Sequence, residues 1–582
     1  MTTTLFVKPT ILPNLIIKDI LEYLLNRIED DFEYLIGFIH RYTLISKKWN
    51  QVIFRMLKVN NSLTTGKFYY IRNGYEMELR INYEMINKWF RLADRYNIAF
   101  ELDSKVLLDK NKLGGEIRDK VVTLTNFTDK ITKSDFNYYK TLKKVVFQTY
   151  KLDSENLLSE FCDNIKYKLY LSCQSGYQEI PENITEIVFN QNLFTRLKIG
   201  CVAISALKYH NQLTQLRHFE LYSIKISKNA LYSILSRSPN LQKLSINDIT
   251  LLDCTFDTIV KWIADISKFQ KLSIVSNDTI SLKSVLDLFN RVQCKHVEIS
   301  LDNIRYETKE EITSAVIDNT SIEKFRFFPF DVISHTNNDE TMKLDYLSIW
   351  KDKSHLKEVE IFREDRCITE MANLEKLDIK FYQGTKSKEL EKYIIPTKLP
   401  KLEELKILGF EFSTINQILK TNPNITKMTL LALEINELVS ILDSQQFPTL
   451  SDLFIEMVWM GKNICEENVV LSAFQNNTTI RYLKIREYEI EMKKPQSFLM
   501  SIIQVNRSYI SLIVCFGLND NFSEDQIDYN LLDEILSNNT TIKKLCLPST
   551  VTISDYIYSK KLIHIFNKYS VIRGNKIGKI YF

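Results

Sequence analysis

The chain has 582 residues, more than one compact core can hold and enough for roughly three or four ordinary domains. Hydrophobic residues make up 45% and charged residues 25%, the balance of a folded protein. The 76 basic and 72 acidic side chains leave only +4, so bulk charge makes no case for a nucleic-acid or membrane partner. Glycine (13) and proline (11) are scarce, which argues against long flexible linkers and against a turn-rich sandwich.

The N-terminal residues read as three short helices over 1–58. Pro13 suits a helix start, and Ile16, Ile17, Ile20, Leu21 and Leu24 form an apolar stripe at helical spacing. A middle apolar segment surrounds Phe32 to Ile39, and a third block runs Leu44-Ile45-Ser46-Lys47-Lys48-Trp49. This pattern resembles an F-box: a Leu12-Pro13 start, an aliphatic helix ending in Tyr23-Leu24, and a later Ser46-Lys47-x-Trp49 phrase. Leu15 stands where that family usually has a glutamate, and the interval from Leu24 to Trp49 is longer than usual. The resemblance implies a Skp-type adaptor of a cullin-RING ubiquitin ligase as partner. The adaptor-binding residues it implies are Leu12, Pro13, Ile16, Ile17, Ile20, Leu21, Leu24 and Trp49. The alternative for the same residues is a helical cap that seals the end of a repeat stack.

Residues 59–135 read as a structured connector or irregular first repeats. From there a phrase recurs with apolar residues at its first, fourth and sixth positions. Clear copies are Leu241-Leu244-Ile246, Leu374-Leu377-Ile379, Leu402-Leu405-Ile407 and Ile480-Leu483-Ile485; weaker early ones are Leu142-Val145-Phe147 and Ile184-Ile187-Phe189. Starts fall at 216, 241, 269, 294 and 322, then at 402, 425, 450, 480, 510 and 542. Amphipathic helical phrases lie between, such as Ala230-Leu231-Ile234-Leu235 and Leu531-Leu532-Ile535-Leu536. Polar stops end them, among them Thr421-Asn422-Pro423-Asn424 and Asn476-Asn477-Thr478-Thr479. The pattern resembles leucine-rich repeats of the helix-containing type. It implies an α/β solenoid over 136–550, with parallel strands on the concave face and helices on the convex face, and a C-terminal cap over 551–582. Two departures stand out. The ninth position, where that family places Asn or Cys, holds Ile224, Ile249, Phe410, Leu433 and Tyr488, with Asn277 an exception, and the segment 329–373 crowds its strand phrases too closely for helices.

In such strands the third, fifth and seventh positions leave the core. They nominate Arg326, Phe328, Tyr346, Trp350, Glu358, Glu360 and Phe362 as a target-binding face, followed by Lys406, Tyr482, Lys484 and Arg486. Arginine and aromatic residues of this kind dominate interface energies. No zinc-ligand spacing, nucleotide loop or nucleophile–base phrase is present, so no cofactor, metal or enzymatic role is expected. Nine cysteines form no Cys-x-x-Cys pair, and no run approaches the ~18 apolar residues of a membrane span. The expected compartment is therefore cytoplasmic or nuclear. Together these readings favour a substrate-recognition subunit of a ubiquitin ligase. The alternative is a repeat scaffold with no link to ubiquitin.

Overall fold

The structure is a computed structural model. It describes residues 14–26, 49–65, 87, 90–91, 94–95, 99–104, 115–126, 137–149, 164–173, 177–266, 268–334, 341–342, 347–361, 366–380, 394–408, 411–443, 446–459, 466–489, 495–506, 508–516, 528–546, 565, 568–569 and 571–573. The chain divides into two compact units, Met1–Ala203 with Lys208–Leu216, and Ile204–Leu207 with Arg217–Phe582.

The first unit begins with helix α1 (Asn14–Asn26), followed by single turns at Trp49–Ile53 and Phe54–Met56. Its strands are β1 (Lys58–Thr65), β2 (Ala99–Ser104), β3 (Val121–Asn126), β4 (Lys144–Thr149), β5 (Lys166–Ser172), β6 (Gln178–Glu179), β7 (Phe194–Gly200) and β8 (Val202–Ile204). Two further helices are α2 (Gly115–Arg118) and α3 (Glu182–Asn190). Strands β1, β2, β3, β4, β5 and β7 pair in that order, all parallel, so repeat-like strands already start at residue 58. Leu124, Val145, Phe147, Tyr167, Leu169, Leu197 and Ile199 are buried on one face of this sheet. The phrase Ile184-Ile187-Phe189 is not a strand. It lies on α3, where Ile184, Val188 and Phe189 are buried at helical spacing. The strands that flank it are β5 and β7.

The second unit repeats one strand and, in most repeats, one helix. Its elements are β9 (His218–Tyr222), β10 (Lys225–Ile226), α4 (Lys228–Ser236), β11 (Lys243–Asn247), β12 (Thr250–Leu251), α5 (Phe256–Ile266), β13 (Lys268–Ser281), α6 (Leu282–Arg291), β14 (Gln293–Tyr306), α7 (Lys309–Thr313), β15 (Lys324–Ser334), β16 (Thr341–Met342), β17 (Glu358–Ile361) and β18 (Lys376–Lys380). They continue with β19 (Glu404–Leu408), α8 (Phe412–Thr421), β20 (Lys427–Glu434), α9 (Ile435–Leu442), β21 (Asp452–Trp459), α10 (Glu467–Asn476), β22 (Tyr482–Glu489), α11 (Pro495–Val505), β23 (Ser511–Phe516), α12 (Tyr529–Asn538), β24 (Lys544–Cys546) and β25 (Ile572–Arg573). The main strands pair in chain order and parallel. Among the described strands only β16 runs antiparallel, folded back on β15.

The register makes the leucine pattern physical. Leu244 lies beside Phe219 and Leu272, and Ile246 beside Leu221 and Ile274. The first, fourth and sixth residues of the phrases starting at 216, 241, 269, 294, 322, 356, 374, 402, 425, 450 and 480 are all buried. Opposite them lie helix residues at i, i+1, i+4 and i+5, such as Ala230, Leu231, Ile234 and Leu235. One strand–helix unit cannot cover its own apolar face, whereas a stack shares one continuous core. Helix starts are capped locally: Ser227, Ser281 and Asp528 each accept a backbone N–H from the first turn. This is the strand-and-helix geometry of leucine-rich repeats. The crowded segment behaves as its spacing implies, because a five-residue 3-10 turn (Arg366–Glu370) replaces the helix between β17 and β18. The phrase at 344 is not a strand; residues 347–349 form a turn, and Trp350 makes an isolated bridge to Ile317.

The asparagine ladder exists, but it precedes the strand. Asn319, Asn422, Asn477 and Asn539 stand three residues before the first apolar position of a repeat. Asn506 stands three before Tyr509, which the register of Leu512 with Leu483 makes the first position in place of residue 510, and all five are buried. Asn422 Nδ2 donates to Thr397 O (3.0 Å), and its Oδ1 accepts Leu399 N (2.7 Å), both from the preceding repeat. Asn477 donates to Leu442 O (2.8 Å) and accepts Ile480 N and Ser508 Oγ. Asn539 donates to Ile503 O (2.7 Å), and Asn319 to Phe289 O and Val292 O (2.7 and 2.6 Å). Asn319, Asn422, Asn477 and Asn539 thereby satisfy helix-end carbonyls that would otherwise be buried without partners, whereas Asn506 donates within its own repeat, to Tyr509 O. The ninth position is then free to be apolar, and Ile224, Ile249 and Leu433 are buried there. Ser223 and Asp248, just before two of these, turn the backbone through positive φ of 47° and 50°.

Candidate interaction surfaces

The outward positions of the second unit's strands were nominated from sequence, and the register shows what they meet. Reading the third position across neighbouring strands gives His296, Lys324, Glu358, Lys376, Glu404, Lys427 and Asp452. From Lys324 onward the signs alternate. Lys324 Nζ lies 2.7 Å from Glu358, and Lys376 Nζ lies 2.6 Å from Glu404. The fifth position gives Glu298, Arg326, Glu360, Asp378 and Lys406. Arg326 is held by three carboxylates: Glu358 at 3.1 Å, Glu360 at 3.1 Å and Glu298 at 3.9 Å. Lys406 pairs with Asp378 at 3.3 Å. In-register parallel strands sit about 4.8 Å apart, close enough for each side chain to reach its neighbour.

The electrostatics follow from burial and sign. Glu360 is 1% exposed and Asp378 5%, so this part of the strand face is largely withdrawn from water. Burial works against the Arg326 charge, but Glu360, Glu298 and Glu358 outweigh it and raise the guanidinium pKa. Burial opposes the Glu358 charge as well, yet Lys324, Lys376 and Arg326 hold its carboxyl below the usual range. At the edge of this network His296 is pushed down to about 4 by burial and by Lys271, so it is neutral at pH 7. The middle of the strand face is thus an internally neutralised ladder.

The seven nominated target residues therefore separate. Arg326, Glu358 and Glu360 come together as one ion network. Phe328 is half-buried one register step from Ser300. Trp350 is not on the strand face but in the core, where it meets the Phe325 ring edge-on at 5.1 Å. Its strand phase failed because 347–350 is a bend. Tyr346 and Phe362 lie outside the described residues.

Later strands differ. Tyr482 on β22 is 45% exposed and Trp459 at the end of β21 is 42% exposed. Lys484 Nζ stands 4.8 Å above the Phe454 ring, and Arg486 pairs with Glu456 at 2.8 Å. Phe454 and Trp459 were missed in the sequence, although Phe454 sits at the fifth position beside Lys484. Reading that position across strands instead of along them finds it.

In the first unit, α1 splits its apolar stripe. Ile17 and Leu21 are buried, whereas Leu15, Ile16 and Ile20 are exposed, as are Val52 and Met56 on the turns that follow. Glu22 accepts the Lys58 backbone N–H (2.8 Å) and pairs with Lys18 (2.8 Å), fixing the helix to the start of β1. Leu12 and Pro13 lie outside the described residues, and of Leu24 and Trp49 only the backbone is described.

Among the described residues, no group of three or more His, Cys, Asp or Glu side chains could hold a metal ion. No described helix is long and apolar enough to cross a membrane. No family model and no curated protein matches the chain. Among solved structures it is similar to a TLR13–ssRNA13 complex, at 13% identity over 82% of this chain and 67% of that one, with a TM-score of 0.42. It is also similar to a leucine-rich-repeat protein of Leptospira interrogans, at 12% identity over 77% and 93% of the two chains, TM-score 0.29. A third is the Arabidopsis receptor kinase HAESA, crystallised with the peptide hormone IDA and the co-receptor SERK1, at 11% identity over 75% and 76%, TM-score 0.19. With every score below 0.5, the fold rests on the repeat register itself.

Proposed function

We propose that this chain is a non-catalytic protein-interaction scaffold that holds a target protein on the strand face of β20–β22. The observation that carries this reading is exposed Tyr482, two residues before Lys484 and its stack on Phe454, with exposed Trp459 at the other end of β21. Large aromatic side chains on a rigid sheet supply contact area at little entropic cost. The middle ladder supplies that rigidity, since its charges are already paired. Proximity labelling in cells tests the reading, comparing the parent chain with the Tyr482→Ala/Trp459→Ala variant. Loss of a discrete set of labelled proteins is expected; an unchanged set sinks this face as the binding site.

The finer proposal is that α1 recruits a Skp-type adaptor of a cullin-RING ubiquitin ligase in the cytoplasm or nucleus. The chain would then act by raising the local concentration of its target near the ligase. Exposed Leu15, Ile16 and Ile20 support it, because three large apolar side chains on one short helix are costly unless covered. Titration calorimetry of the full-length chain with purified adaptor should give micromolar or tighter binding, weakened at least tenfold by Ile16→Glu/Ile20→Glu. An adaptor that shows no heat with the parent chain removes the ligase and leaves the scaffold. A second reading, α1 as a cap on the first strand, is favoured by buried Ile17 and Leu21 and by the bond from Lys58 to Glu22.

A further inference from the structure

The strand face of the first unit carries a charge pattern unlike that of the second. On β4 the alternate positions hold Lys144 and the buried Val146, on β5 Lys166, Lys168 and Tyr170, and on β7 Arg196 and Lys198. Register places Lys144 beside Lys166, Lys168 beside Arg196, and Tyr170 beside Lys198. Five cations thus share a patch three strands wide. No acidic residue occupies an alternate position on these strands, and β3 brings only Thr123 and Thr125 alongside. Lys166 is exposed, and Lys144, Lys168, Arg196 and Lys198 are partly exposed. Burial, then Lys144 and Arg196, lower the Lys168 pKa, so its neighbours repel its charge.

We propose that this face binds an extended acidic polypeptide segment, with carboxylates at alternate residues meeting Lys166 and Lys168 along β5 and a further carboxylate meeting Lys144 on β4. Residues two apart on a strand are separated by about 6.6 Å, and so are alternate side chains of an extended peptide. Like charges held side by side destabilise a sheet, and a bound polyanion removes that repulsion. A single-stranded nucleic acid has a similar charge spacing, but it also needs ring faces on which bases stack. Tyr170 is the one aromatic side chain among these outward residues, and the Arg196 guanidinium already lies over its ring at 5.5 Å. The surface is separate from β20–β22 and from α1, so it stands whether or not either of those binds a partner.

The test uses the full-length chain and a fluorescein-labelled twelve-residue peptide of alternating Glu and Ser, read by fluorescence anisotropy. A Lys/Ser peptide and a labelled oligouridylate run beside it. The acidic peptide should bind, and its affinity should fall steeply as salt is raised, because the contacts are ionic. Lys144→Gln/Lys166→Gln should weaken binding about tenfold, since both ion contacts are lost. Lys166→Glu/Lys168→Glu should abolish it, and the Lys144→Gln/Lys166→Gln pair keeps the test decisive if that reversal impairs folding. Lys427→Glu, on the second unit, should change nothing. No binding of the acidic peptide overturns the proposal. So does an equal loss with Lys427→Glu, or tighter binding of oligouridylate than of peptide.

Discussion

Two strand faces in this chain use the same positions of the same repeat and reach opposite electrostatic outcomes. On β15–β19 the third-position charges alternate in sign from strand to strand, and the outward charges largely cancel through Lys324–Glu358, Arg326–Glu360, Lys376–Glu404 and Asp378–Lys406, although Glu360 and Asp378 are neighbours at the fifth position. On β4, β5 and β7 they repeat in sign. Neither the overall composition nor the net charge separates the two. In a parallel stack, what a charged side chain does is set by the equivalent side chain one repeat away.

The largest effect expected from this contrast is at Arg326. Arg326→Ala leaves the buried Glu360 without its cation; breaking a buried pair from one side costs about 3–5 kcal/mol. Hydrogen exchange at β15 and β17 measures it locally, which matters in a chain of two units. Arg326→Met/Glu360→Leu should recover most of the loss, and a neutral single variant would show that the ladder contributes nothing.

A smaller loss is expected at Asn477→Ala. It removes three hydrogen bonds and strands the Leu442 carbonyl and the Ile480 N–H in the core, at about 1–3 kcal/mol. Faster exchange confined to β21, β22 and β23 is the expected readout. His296 gives a pH signature at the ladder's edge. Its imidazole is held at about 4 in the fold, against about 6.5 unfolded. Between those values the unfolded chain binds the proton and the folded chain does not. Stability from this group is therefore complete above pH ~6.5 and is lost as pH falls towards ~4. His296→Gln should flatten that part of a stability–pH curve. The smallest effect has the opposite sign: Lys168→Gln in the first unit should stabilise by about 0.2–1 kcal/mol by relieving cross-strand repulsion, seen as slower exchange in β5. Loss of stability there would erase the contrast between the faces.

How far the sequence could be read depended on the range of the interaction. Short-range periodicity was legible: apolar spacing located nearly every strand from 216 onward and the buried face of the helix over 228–236 and, apart from the exposed Leu531, of that over 529–538. It misled where two periods coincide. Ile184, Ile187 and Phe189 fit both a strand phrase and a helix stripe, and the helix prevails because β5 and β7 pair directly across it. Trp350 kept the strand phase on paper, but its segment bends. The ion ladder was hidden for a different reason. Arg326 and Glu360 are far apart in sequence and meet only once register is known. The helix-breaking asparagines were seen as stops, whereas their bonds to the preceding repeat needed the stack. Of the candidate surfaces, Tyr482 and Lys484 were legible as outward positions; Trp459, beyond the seventh position, was not.

Those asparagines also bear on how the second unit would come apart. Asn422, Asn477 and Asn539 each rivet one coil to the backbone of the coil before it, and Ser508 links Asn477 onward to the next. A coil that peels away takes its neighbour's buried carbonyls with it, so separate failure is uphill. Pulled from its two ends, the stretch from 394 to 546 should tear as a single block with one large force peak, where a stack joined by apolar contact alone would unravel in a sawtooth, coil by coil.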